Sequence, residues 1–302
     1  MSGIPRVIAV DLGGTKLSAA VVDAKGTVSG RRKVAVASAD LRASVDQIVQ
    51  VVDELRNAER VSCDAIRALG VVVPGIYFAA TGEAWAPNLW GHANVPLRAE
   101  LERELRLPII IDSDRAGYVT GESWLGAARG LSDVVFLAVG TGIGAGIISG
   151  GRLVRGAADI SGAVGWFALN PRFREIYREV GCWEAEAAGP GLARRMNLVS
   201  AEEVVSRARR GDSDARASVE ESAMYLGMGI ANIVSILNPQ MVVLGGGLMQ
   251  AADLFLEPVR RIVALWAQPV SAKQVRIEVT QLSEDAGLLG AARLALGEAV
   301  TT

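Results

Sequence analysis

Cysteine and histidine are nearly absent from this chain. Its 302 residues include two cysteines, Cys63 and Cys182, and one histidine, His92. Two cysteines build no disulfide framework and fit a reducing compartment, the cytoplasm. A single histidine excludes a multi-histidine metal site and argues against histidine-based acid–base catalysis. Charge of either sign is also not in excess. The net charge is −2, with Lys and Arg scattered, so no basic block points to nucleic acid or an acidic membrane. No apolar run reaches the length of a membrane span. The start, Met1-Ser2-Gly3-Ile4-Pro5, lacks the charged and apolar regions of a signal peptide. His92 sits in a Gly/Asn-rich stretch and reads as a loop residue. Cys63 precedes an apolar strand and reads as an inert core thiol. What the chain does have is apolar residues, half of the total. That is enough for a large core, and the length suggests two domains.

One stretch organises the rest: Asp11-Leu12-Gly13-Gly14-Thr15-Lys16. It lies between the apolar run Val7–Val10 and a second strand-like run, Lys16–Val22. On its own it is a β-hairpin with a Gly-Gly turn, or a phosphate site. Gly13 and Gly14 permit positive φ and close approach of a ligand. Their N–H groups and the Thr15 hydroxyl can face a phosphate, and Lys16 can offset its charge. Asp11 can hold Mg²⁺ directly or through water. The same strand, Gly/Thr turn and strand recur at Gly140-Thr141-Gly142-Ile143-Gly144, after Val134–Val139. Two copies read as a duplicated unit holding nucleotide phosphates between two turns. A third cluster, Gly245-Gly246-Gly247, follows the strand Met241–Leu244 and opens a helix. It suits the approach of an adenosine.

Taken in order, residues 6–36 predict a three-strand meander. Leu41–Asn57 has helical spacing, and Ile66–Val73 is a buried strand stopped by Pro74-Gly75. Residues 76–94 read as loop, Pro96–Leu105 as helix and Pro108–Ile111 as strand. A helix then runs to about Ala128. The second half repeats the order, with an irregular insertion at 157–200. Asp114 falls where a strand ends and a helix begins, the end of an open α/β sheet where ligands bind. Its carboxylate can cap that helix or take a proton from an alcohol. Set beside two phosphate turns, the second role suits a kinase, which needs a carboxylate to orient the attacking hydroxyl.

These motifs resemble the ROK family of sugar kinases and repressors, within the actin/hexokinase-type ATPase fold. The resemblance rests on the Asp11–Lys16 stretch, Val73-Pro74-Gly75, Ala86-Pro87-Asn88-Leu89 and Ser113-Asp114 with Gly121-Glu122. It rests equally on Gly140–Gly146, Gly181–Ala185 with Gly189-Pro190, and Gly245–Gly247. It implies an α/β fold of two actin-like (ribonuclease H-like) domains, a duplicated βββαβαβα around a cleft. The small domain is expected at 1–115 plus 290–302 and the large domain at 116–289. It implies ATP and Mg²⁺ as cofactors, Asp114 as general base, and Gly75, Asn88, Ser113 and Glu184 at the sugar. A homodimer and a cytoplasmic location are expected with it. The family's repressors carry a helix-turn-helix before the kinase-like body. Here the first strand is expected at about Arg6, which leaves no room for one.

The departures from the family pattern matter as much. Where the family carries a Glu and a His that hold sugar hydroxyls, this chain reads Ala163 and Trp166 in Ser161-Gly162-Ala163-Val164-Gly165-Trp166. That His and nearby cysteines also hold a structural zinc in the family. Here the corresponding positions are Glu175, Tyr177 and Cys182. One thiol cannot supply the roughly four ligands that zinc needs, so no zinc site is expected. Ser113 replaces the usual Asn. The altered pocket fits a modified ring, an aminohexose such as kanosamine or a C7-cyclitol. Relatives phosphorylate such compounds in antibiotic pathways. Asp112 and Glu184 are candidates for holding an ammonium.

Overall fold

The computed structural model describes residues 4–36, 40–58 and 66–297. Cys63 lies outside them. The chain forms two compact units. The first begins with strands β1 (Arg6–Leu12), β2 (Lys16–Asp23) and β3 (Val28–Ala35), then helix α1 (Leu41–Ala58) and β4 (Ile66–Val73). A small hairpin follows, β5 (Ile76–Phe78) and β6 (Glu83–Trp85). Next come the one-turn helix α2 (Pro87–Trp90), α3 (Leu97–Glu104), β7 (Ile109–Ser113) and α4 (Asp114–Leu125). Five strands make one sheet in the order β3-β2-β1-β4-β7. β1 pairs antiparallel with β2 and parallel with β4, and β4 pairs parallel with β7. β1 and β4 are apolar almost throughout because helices cover both sheet faces. The apolar stripe of α1 (Val45, Ile48, Val52, Leu55) is buried against one of them.

A second sheet repeats this plan with β8 (Val134–Val139), β9 (Ile143–Ser149) and the two-residue β10 (Arg152–Leu153). The insertion carries α5 (Tyr177–Val180), α6 (Cys182–Ala187) and α7 (Gly189–Arg195). Then come α8 (Ala201–Arg209), α9 (Ser213–Leu237), β11 (Met241–Gly245), α10 (Ala252–Trp266), α11 (Pro269–Gln274) and β12 (Arg276–Val279). The order β10-β9-β8-β11-β12 mirrors the first sheet strand for strand. The duplication expected from the glycine turns is therefore present in the topology. The last helix, α12 (Ala286–Ala295), returns to the first unit.

α4 and α12 meet at near-backbone distance, because glycines face each other. A Cβ on Gly290 would fall 1.9 Å from the Gly117 carbonyl oxygen, and one on Gly121 would fall 2.3 Å from that of Ala286. α12 also lies flush on β4, where a Cβ on Gly70 would fall 2.1 Å from the Ala291 carbonyl oxygen.

Three features differ from the sequence reading. The stretch 76–94 contains β5, β6 and α2 rather than loop alone. Three-residue strands are too short for a period to show, and Tyr77 and Ala84 are buried. The first unit keeps residues up to Gly130, with Gly151–Ser161 and the chain from Glu284. The boundaries expected at 115 and 290 differ because α4 packs on α12 and the first sheet. Gly144, read as part of the second turn, lies inside β9 opposite Ala138. No helix among the described residues is long and apolar enough to cross a membrane.

Candidate active site

β1, β4 and β7 run parallel, so Asp11 near the end of β1 and Asp114 just after β7 lie at the same end of the sheet. That is the ligand-binding end of an open α/β sheet. Ser113, not Asp114, caps the helix that follows. Its backbone is extended (ψ 153°), and its Oγ accepts the Ala116 N–H at 3.3 Å. Ser113 is the helix cap, and Asp114 is the first helical residue. The Asp114 carboxylate accepts the adjacent Arg115 N–H at 2.7 Å and the hydroxyl proton of Tyr118, one helical turn on.

Burial dominates the electrostatics here. Desolvation pushes Asp114 up to about 6, against the downward pull of the Arg115 guanidinium, the Arg115 N–H and the Tyr118 hydroxyl. Asp11 is pushed up to about 7, first by burial and then by the negative charge of Asp114. Tyr118 is pushed up by burial and by both carboxylates. Two hard oxygen donors that repel one another in a desolvated place are a fitting set for a divalent cation such as Mg²⁺.

Arg115 reaches away from Asp114, and its Nη2 donates to the Gly75 carbonyl at 3.0 Å. Gly75 is left-handed (φ +100°), and a Cβ there would fall 2.2 Å from the Trp85 carbonyl oxygen. Only glycine fits this turn. Asn88 is exposed on α2, before the buried Leu89 and Trp90. The turn is pinned by Trp90, whose Nε1 donates to Ser44 Oγ at 3.1 Å. His92 is an exposed loop residue beside the Trp85 ring. Asp112 is not free to hold an ammonium. Its Oδ2 accepts from Arg155 Nη2 at 2.6 Å and its Oδ1 from the Ser113 N–H at 2.8 Å.

The first glycine turn departs from expectation in two ways. Neither Gly13 nor Gly14 has positive φ. The Gly13 N–H is spent on the Lys16 carbonyl at 2.8 Å, closing the turn. Gly14, Thr15 and Lys16 are exposed. A Cβ on Gly14 would meet nothing within 4 Å, so the fold itself does not require glycine there. Gly14→Ala should therefore leave thermal stability unchanged or slightly raised. It should raise the KM for ATP about tenfold or more, equivalent to roughly 1.4 kcal/mol. An unchanged KM in steady-state assays would mean that no phosphate approaches this turn.

In the second unit, Gly140 and Gly142 close the matching turn. The Gly140 N–H donates to the Gly142 carbonyl at 3.0 Å, and the Gly140 carbonyl accepts from Gly189 N–H at 2.9 Å. Thr141 is exposed at the tip. Glu184 supports the turn from below, with Oε2 accepting the Ile143 N–H at 2.7 Å. Burial pushes Glu184 up, and that hydrogen bond pulls it down. Gly142 and Gly165 leave the room its carboxylate occupies. Gly245 and Gly246 have reasons internal to the fold. A Cβ on Gly245 would strike the Phe136 ring at 2.2 Å, and Gly246 is left-handed against Val139. Gly247 has no such reason, since a Cβ would meet nothing within 4 Å. It borders a cavity of about 660 Å³ within this unit, shared with Gly140, Thr141, Pro190, Glu202 and Leu248. That volume suits a nucleoside.

Ala163 begins a short turn, and Trp166 is 56% exposed. Cys182 packs in an apolar cluster with Tyr177 and Ala185. The Glu175 side chain is at the surface, 3.1 Å from Arg178. Among the described residues, no group of three or more His, Cys, Asp or Glu could hold a metal ion.

The sequence reading missed Arg115, Tyr118 and Gly287. Tyr118 had a signal, since residues four apart share a helix face. Gly287 had none. A Cβ there would fall 2.3 Å from Asp11 Oδ2, a proximity set by α12 returning from the far end of the chain.

Duplicated actin-like α/β units, a buried carboxylate at a strand end and paired glycine turns are those of a carbohydrate phosphotransferase. The chain belongs to the ROK family, matching it over residues 7–298. It is 33% identical to the N-acetylmannosamine kinase of Shigella flexneri over 299 residues, covering 97% of this chain and 99% of that one. The crystal structure of the ROK hexokinase from Thermus thermophilus superposes with a TM-score of 0.83 at 30% identity, covering 97% of this chain and 98% of that one. The ROK family glucokinase from Streptomyces griseus, solved with glucose and AMPPNP, gives a TM-score of 0.78 at 28% identity, covering 97% and 99%.

Proposed function

We propose that this protein transfers the γ-phosphoryl group of ATP to the 6-hydroxyl of a hexose or a modified hexose. The observation that carries the reading is Asp114. Ser113 relieves it of capping, burial raises it to about 6, and it stands at the ligand-binding end of the sheet. A base with that value is ionised at neutral pH yet basic enough to accept a proton. Asn88, Ser113 and the Gly75 turn bind the acceptor beside it. Arg115 ties the Gly75 turn to the helix bearing the base. The acceptor hydroxyl donates its proton to Asp114 as its oxygen bonds to phosphorus and the bond to the ADP leaving group breaks. In the first unit Thr15 and Lys16 are the phosphate-facing residues; in the second, Thr141 takes that role and the cavity beside Gly247 takes the adenosine. Asp11 would hold Mg²⁺ through water; when bound, the ion offsets charge on the phosphate oxygens.

The kind of ring is decided by what replaces the family's polar groups. Ala163, Trp166 and Ser113 offer fewer partners to an all-hydroxyl ring, which favours an aminohexose such as kanosamine, or a C7-cyclitol. A second reading, a plain or N-acylated hexose, is favoured by the pairing of Asp112 with Arg155, which removes one anion from those able to meet an ammonium. It is also favoured by the Shigella relative, an N-acetylmannosamine kinase. A site built around one polar group discriminates strongly against analogues lacking it. A coupled ADP-release assay across glucose, glucosamine, kanosamine, N-acetylated hexosamines and a C7-cyclitol decides between them. The first reading expects kcat/KM for the aminohexose or cyclitol to exceed that for glucose by about tenfold, roughly 1.4 kcal/mol. Glucose or an N-acetylated sugar as best substrate selects the second. No sugar-dependent ADP release removes both.

A further inference from the structure

Glu186 is a carboxylate that the reaction above does not use, and it is only 2% exposed. A buried carboxylate persists as an ion only when paired and hydrogen-bonded. Glu186 has those partners. Its Oε1 accepts from Arg174 Nη1 at 2.8 Å and from the Tyr177 hydroxyl. Tyr177 in turn accepts from Asn170 Nδ2 at 3.1 Å. Arg195 Nη1 lies 3.8 Å from Glu186 Oε2 and donates to the Glu186 carbonyl at 2.7 Å. Arg194 Nη2 donates to the neighbouring Ala185 carbonyl at 2.6 Å. Cations thus take the last carbonyls of α6, where the helix dipole favours them.

Glu184 sits two residues earlier on the same short helix, about 200° away around it at 3.6 residues per turn. One side of α6 is bonded through Glu186 to the insertion, and the other through Glu184 to Ile143 in the second glycine turn. Six residues form too little helix to hold their own orientation. We infer that Glu186 is a positioning residue: anchored by Arg174 and Tyr177, it sets the rotation of α6 and so keeps Glu184 on the Ile143 amide, shaping the Gly140–Gly142 turn. That this turn contacts a nucleotide phosphate rests on the function proposed above. The positioning itself does not.

The test reads the turn directly. Amide hydrogen exchange, resolved by residue, is measured on the full chain, wild type and Glu186→Gln. Exchange at Ile143 should speed up about tenfold or more, while β8 and β11 keep their protection. Unchanged exchange at Ile143 overturns the inference. So does a uniform rise across the unit, because that marks general destabilisation. If Glu186→Gln does not fold, Tyr177→Phe removes one hydroxyl and keeps the charge pair, and it should move Ile143 in the same direction by less. AMPPNP affinity by calorimetry is the second readout. Glu186→Gln should weaken it about tenfold, and Glu184→Gln/Glu186→Gln should be no weaker than Glu184→Gln alone, since one acts through the other. Independent, multiplying losses in the double variant overturn the inference. Faster Ile143 exchange with unchanged AMPPNP affinity sustains the positioning role and refutes the phosphate reading of the turn.

Discussion

Asp114→Asn should lower kcat by about 10²–10⁴-fold while leaving the fold and nucleotide binding intact. The fold survives because Ser113, not Asp114, caps α4, and an amide oxygen can still accept the Arg115 N–H. What is lost, on the function proposed above, is the group that takes the acceptor's proton. The pH dependence gives an independent reading. The base works as the carboxylate, so wild-type kcat/KM should fall as pH drops through about 6, the value to which burial raises Asp114. Asp11 is raised to about 7, first by burial and then by the charge of Asp114. The acid limb belonging to Asp114 should vanish in the variant. Stability runs the other way. Both carboxylates bind protons more readily folded than unfolded, so their contribution is most favourable below about pH 4. It is lost as pH rises toward 7. Activity within a few-fold of wild type in a coupled assay would remove Asp114 from the role of base.

Gly287→Ala is the second large effect, and it acts through packing. The new Cβ would fall 2.3 Å from Asp11 Oδ2 and 3.1 Å from the Tyr118 ring. α12 has no room to retreat, because Gly290 against Gly117 and Gly70 against Ala291 already hold it at backbone contact. The Asp11 carboxylate must move instead. A displacement of that size at a reacting site costs roughly 10²-fold, so kcat/KM for Mg-ATP should fall by about that factor. Overpacking should also cost about 1–3 kcal/mol of stability, visible as a lower Tm. The steady-state measurement varies Mg²⁺ at fixed ATP, and the loss should be partly recovered at high Mg²⁺. If the variant loses stability but keeps kcat/KM, Asp11 does not serve the reaction.

Gly14 and Gly287 show two different reasons for a glycine. At Gly14 the surrounding protein leaves open space, so the fold itself does not require glycine. At Gly287 a carboxylate from the other end of the chain occupies the space where a side chain would be. The local sequence marked Gly14 through its Gly-Gly turn, whereas nothing near Gly287 showed why a glycine stands there.

The sequence by itself determined what local physics encodes. Apolar runs broken by Gly/Thr turns placed β1, β2, β8 and β9, and their repetition showed the duplication that the two matching sheet orders display. Helical spacing placed α1 nearly to the residue. A carboxylate after a strand marked Asp114, because strand ends in α/β sheets are where ligands bind. Tertiary structure alone decided which group does what. Only the sheet order sets Asp11 and Asp114 at one end of the first sheet. Only burial raises both carboxylates, since a pKa sums desolvation and neighbours that the chain brings from afar. The pairing of Asp112 with Arg155 and the hold of Glu184 on Ile143 each join elements that no local window spans. Helix and strand propensities are written within a few residues, but the crossovers that return distant segments to one place are fixed by packing of the whole core.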